Sequence, residues 1–165
     1  MATPTKENIG RVVLIAVDGS HNSENAFQWY VTHLHTEETK VILLHVFEVP
    51  SLQTGRYQVE QPKSDYLTWK SRISEVEMEA QKVMKRFMDR CAAYKDLVHY
   101  TPLTLPGRVG EIICEEAAKR KTDFIIIGSR GLGKISRSLF GSVSDYVVRR
   151  ANIPVIVIPK GWKSE

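Results

Sequence analysis

Cysteine is scarce in this sequence: of 165 residues only Cys91 and Cys114 carry thiols, each inside a stretch with helical spacing and neither beside a second cysteine or a histidine pair. That excludes a disulfide framework and a thiolate zinc site, and assigns both thiols to helix cores or surfaces in a reducing compartment. Long apolar runs are missing too, so no membrane span is expected, and the opening MATPTKENIG lacks an apolar segment of signal-peptide type. A soluble, cytosolic protein is the expectation. Neither sign of charge dominates: 23 Lys and Arg against 19 Asp and Glu leave a formal +4. So small an excess reads as solvated surface and argues against a nucleic-acid patch. Also missing are a Ser/His/Asp arrangement, an internal repeat and a linker, so a single domain over residues 1–165 is expected, with its core at about 9–160.

What the sequence does have is five apolar runs, RVVLIAVD, KVILLHVF, LVHYTPLTL, DFIIIG and IPVIVIP, continuous instead of alternating. Such runs suit strands buried on both faces. Between them lie helical spacings. Ser20 is a good N-cap for a first helix carrying Phe27, Tyr30 and Leu34, and a second helix places Ile73, Val76, Ala80, Val83, Phe87 and Cys91 three or four apart. The second spans about three heptads, which raises a coiled coil, although a helix covering a sheet is the preferred reading. A third helix lines up Val109, Ile112, Ile113 and Ala117. A fourth follows Gly141 and ends in Arg149 and Arg150, cations that suit a helix C-terminus. Glu111, Glu115 and Glu116 on the third helix are read as solubility charges.

Strand alternating with helix predicts an α/β fold, a five-stranded parallel sheet with helices on both faces. Proline then orders the strands. Pro102 lies inside the third run, where it cannot donate to a ladder, so that strand belongs at an edge. The order 3-2-1-4-5 puts it there, whereas 2-1-3-4-5 does not. The same order sets strand one beside strand four and creates a crevice at their carboxyl ends, where open parallel sheets bind ligands.

Into that crevice runs the glycine-rich stretch GSRGLGKISRSLFGSVSDYVV from Gly128 to Val148. It is not a P-loop, because Ile135 stands where the hydroxyl that holds magnesium is needed. Nor is it a dinucleotide fingerprint: Ser136 replaces the last glycine and the stretch follows the fourth strand, not the first. What remains is Gly128-x2-Gly131-x9-Gly141-Ser142, an anion nest in which glycine allows close backbone approach and a helix start offers free N–H groups. Ser142 and Ser144 add hydroxyls, and Ser142 is itself a good N-cap. Lys134 and Arg137 are further candidates from charge alone.

Together, VLIAVDGS, VILLHV, PGRVGEII, IIIGSRGLG, LFGSVSDYVV and IPVIVIP resemble the nucleotide-binding type of the universal stress protein family, over nearly the whole chain. In that family G-x2-G-x9-G-[ST] is the ATP motif. The resemblance implies a Rossmann-like fold of the adenine nucleotide alpha hydrolase-like kind, again in the order 3-2-1-4-5. It implies that Ala16, Val17, Asp18 and Val46 border the adenine, that Ile127 and Gly128 lie near the ribose, and that Arg130, Gly131, Gly141, Ser142, Val143 and Ser144 surround the phosphates. The implied ligand is ATP, or ADP or AMP, with Mg or Mn arriving on the nucleotide beside Asp18. It also implies a homodimer, for which the final strand, Val155 to Ile158, is too apolar to be a solvent-facing edge.

Each residue also has a plainer use. Asp18 precedes Gly19 and Ser20 and suits a turn; His45 has no evident partner and reads as packing. No general base is evident, so an ATP-binding stress or signalling protein is preferred over its rivals, a slow metal-dependent ATP hydrolase and a nucleotide-independent interaction module.

Overall fold

The computed structural model describes residues 10–50, 63–94, 99–129 and 141–163. Arg130, Gly131, Lys134 and Arg137 lie outside the described residues, as do residues 51–62, most of a polar stretch without clear period that reads in the sequence as a loop after the second strand. Among the described residues the apolar runs form β1 (Val12–Ala16), β2 (Lys40–Phe47), β3 (Tyr100–Pro106), β4 (Phe124–Gly128) and β5 (Val155–Ile158). The segments between them form α1 (His21–His33), α2 (Lys63–Ala93), α3 (Val109–Lys119) and α4 (Ser142–Arg150). None of these helices is long and apolar enough to cross a membrane.

All four strand pairings are parallel and the order is β3-β2-β1-β4-β5. Pro102 sits on the edge strand, opposite Leu43. There its missing N–H falls where a ladder donor is dispensable. β3 departs from the expectation of burial on both faces: Thr101, Pro102 and Pro106 are exposed, because an edge strand has one neighbour.

Side chains on β1 alternate between two cores. Val13, Ile15 and Val17 face α1 and α2 and join Phe27, Tyr30, Phe87 and Cys91. Leu14 and Ala16 face α3 and α4 and join Ile113, Ala117 and Val147. Phe27 meets Phe87 edge-on at 5.7 Å between ring centroids, a geometry that adds to simple area burial. Burial pushes the Cys91 thiol up to about 12, so it stays protonated and inert, as a core thiol should.

Glu116 corrects the reading of its helix. It is buried at 7% relative exposure, and its carboxylate accepts from Arg120 Nε at 2.8 Å and Lys119 Nζ at 3.0 Å. The Arg120 bond first, then that of Lys119, holds its carboxyl below the usual carboxylate range. A depressed folded value means the stabilisation is fully present above the unfolded carboxyl pKa, about 4.3, and is lost as pH falls through the lower folded one. Glu116→Gln is therefore expected to cost about 1–2 kcal/mol at pH 7. Urea unfolding should show the gap to the parent closing below about pH 4.

Candidate functional site

The chain leaves β1 at Ala16 and enters α1 through a closed ring of hydrogen bonds. Ser20 N and Ser20 Oγ both donate to Asp18 Oδ1, at 2.9 and 2.5 Å. Ser23 Oγ donates to the Ser20 carbonyl at 2.9 Å and accepts from Asp18 N at 3.3 Å. Ser20 caps the helix by accepting from Ser23 N. Gly19 makes the reversal with φ +73, a conformation that favours glycine. Asp18 thus forms the turn that its sequence context allows, and it also lines the crevice beyond.

That crevice is a cavity of about 510 Å³ at the carboxyl ends of β1, β2 and β4, within the range of small-molecule sites. Its floor is a lateral row across three strands. Ala16 is in register with Leu44 on one side and Ile127 on the other. Neighbouring strands lie about 4.8 Å apart, so an alanine between two larger side chains leaves a shallow flat hollow. Val46 extends the floor along β2, and Val109 and Ile113 of α3 close it from above. This half of the site is apolar and suits a planar ring.

The other half is the start of α4. Gly141 is the N-cap, with extended backbone and no side-chain capping bond. Ser142 is therefore the first helical residue and not the cap that its sequence position predicted. The N–H groups of the first turn have no partner within their own helix and gather partial positive charge at its end. Ser144 is buried and donates its hydroxyl to the Gly141 carbonyl at 3.0 Å. Its proton is committed within the turn, which leaves Ser142, exposed at the rim, as the freer hydroxyl. Asp18 and Glu48 supply acceptors at the polar edge. Among the described residues no three His, Cys, Asp or Glu side chains gather to hold a metal.

Residues 10–159 match the model of the universal stress protein family. The chain belongs to the universal stress protein family. It is 25% identical over 144 residues to a universal stress protein A-like protein of Arabidopsis thaliana, an alignment covering 86% of this chain and 80% of that one. In fold it resembles the universal stress protein UspA from Lactobacillus plantarum, with a TM-score of 0.70 at 20% identity, covering 90% of this chain and 97% of the other. A family protein from Arabidopsis thaliana solved with AMP bound superposes with a TM-score of 0.60 at 22% identity, covering 90% of each chain.

In this universal stress protein Ala16, Val17, Asp18, Val46, Ile127, Gly128, Gly141, Ser142, Val143 and Ser144 all border the one cavity. Gly128 has a second reason to be glycine. A Cβ there would stand 2.4 Å from the Asn22 carbonyl oxygen and 3.1 Å from Ser23 N, so the first turn of α1 rests on it. Ser20, Ser23, Leu44, His45, Glu48, Val109 and Ile113 line the cavity without having been anticipated there. The signal for Val109 and Ile113 was available: an apolar pair four apart opens a helix that must recross the sheet from its edge. His45 is buried, and its Nδ1 donates to the Val17 carbonyl at 2.7 Å. That fixes the tautomer and ties β2 to the end of β1.

Proposed function

We propose that this protein binds an adenine nucleotide, ATP or else ADP or AMP, and that occupancy sets its conformation or its choice of partner in a stress or signalling response. One observation carries the reading: the hollow over Ala16 runs directly to the uncapped start of α4, so a flat apolar slot and an anion site share one cavity. Ala16, Val17, Asp18 and Val46 border the base, and Ile127 and Gly128 the ribose. Gly141, Ser142, Val143 and Ser144, with Arg130 and Gly131, surround the phosphates. The spacing Gly128-x2-Gly131-x9-Gly141-Ser142 supports a triphosphate. The AMP of the Arabidopsis relative, and the cAMP and dAMP carried by two further relatives, support the adenine. Mg or Mn accompanies the nucleotide beside Asp18, an acid that lines the cavity.

Two copies pair through β5. It is the outer strand, and Val155, Ile156 and Val157 are only half-buried, an edge that invites a second strand.

Calorimetric titration of the full chain with ATP, AMP, adenosine and inorganic phosphate tests the binding. ATP and AMP are expected to bind, and adenosine at least about tenfold more weakly, because each charge-assisted hydrogen bond to phosphate contributes about 1.5–3 kcal/mol. Failure of every adenine compound to bind at millimolar concentration would refute the reading.

A further inference from the structure

We propose that the first half of α2 is a self-association surface, pairing in parallel with the same segment of a second copy as a short two-stranded coiled coil. α2 has 31 residues and so runs about 46 Å. The eight residues of β2 span only about 26 Å. The excess lies at the N-terminal end: Ala80, Met84, Phe87 and Cys91 are buried, whereas no residue from Tyr66 to Glu79 is. A helix is rarely carried three turns past its sheet without an apolar face to cover.

That face exists, and it continues the stripe that packs on the sheet. Tyr66, Trp69, Ile73 and Val76 stand three, four and three apart, and the same alternation then runs on through Ala80, Val83 and Phe87. These are the first and fourth positions of successive heptads. Val83 and Phe87 belong to the core against α1, while Tyr66, Trp69, Ile73 and Val76 belong to neither core. Tyr66 is 53% exposed, and Trp69, Ile73 and Val76 are half-buried. Trp69 is held in place, with Nε1 donating to the Pro50 carbonyl at 2.7 Å and its ring 5.9 Å from that of Tyr66. β-Branched Ile73 holds a first position and Trp69 and Val76 the fourth positions of this stretch.

Charge names the occupant. Arg72 and Glu77 flank the stripe on opposite sides, five residues apart. In a parallel pair those positions face each other across the seam, twice by symmetry. Among the described residues neither takes part in an ion pair within its own chain, whereas the next turns of the helix pair Lys82 with Glu79 and Lys85 with Asp89. The segment is thus self-complementary in one register. α2 packs on β2 and β3, away from β5 at the opposite edge of the sheet. The surface is distinct from pairing through β5.

Sedimentation of the full chain and of R72E, E77R and R72E/E77R tests this. Both positions are solvent-exposed, so the substitutions leave the core untouched. Each single reversal sets like charges across the seam and is expected to weaken self-association about tenfold. The double reversal restores it in a parallel pair, but not in an antiparallel one. Equal association in all four proteins, as β5 pairing alone would give, overturns the proposal. So does a double variant no better than the singles, or a parent that is monomeric at micromolar concentration.

Discussion

Gly128→Ala is expected to destabilise the fold by about 3 kcal/mol or more, at the upper end of what overpacking costs. The new methyl would lie 2.4 Å from the Asn22 carbonyl oxygen and 2.6 Å from its carbon. Both are backbone atoms of the first turn of α1, so no side chain can rotate away. Nor is α1 free to slide. Phe27 and Tyr30 are fully buried in the core beneath it, and the Asp18, Ser20 and Ser23 hydrogen bonds tie its start to the end of β1. Urea unfolding at neutral pH measures the effect, and a loss under about 1 kcal/mol would mean that this turn lifts off β4 freely. The consequence reaches beyond stability. Gly128 opens the glycine motif, so a nucleotide defect in this variant would be confounded with a displaced helix, and a clean test of the phosphate site needs another residue.

The same position shows what was legible in the sequence. The strand order followed from one proline, because Pro102 obeys a rule about donors that holds in any sheet. The two cores followed from continuous apolar runs. The lateral row was less accessible: Leu44, Ala16 and Ile127 are remote in sequence, and only strand register sets the alanine between its larger neighbours. Glu116 was misread because helical spacing does not reveal that Lys119 and Arg120 reach back to a carboxylate at the edge of the core. Ser142 was misplaced by one residue, since Gly141 and Ser142 are both acceptable caps and only backbone angles decide between them. For Gly128 a motif and a packing contact demand the same residue, and sequence alone cannot separate them.

Ser142→Glu separates them, because its two expected effects have opposite sign. Residue 142 is exposed at the first position of α4, ahead of a helix start that lacks a side-chain cap. A carboxylate there interacts favourably with the helix dipole and should stabilise the nucleotide-free protein by about 0.3–1 kcal/mol. A nucleotide phosphate seeks the same partial charge, and it would meet a fixed negative group together with the loss of the Ser142 hydroxyl. ATP affinity is expected to fall about a hundredfold, equivalent to about 2.7 kcal/mol. Thermal unfolding with and without ATP reads both effects. Without nucleotide the variant melts above the parent; at an ATP concentration about a hundred times the parent's Kd the order reverses, since ligand then adds about 2.7 kcal/mol to the parent and little to the variant. If the variant is more stable under both conditions and binds ATP as the parent does, the phosphates do not sit at the start of α4, and the assignment of Gly141, Ser142, Val143 and Ser144 to them is wrong.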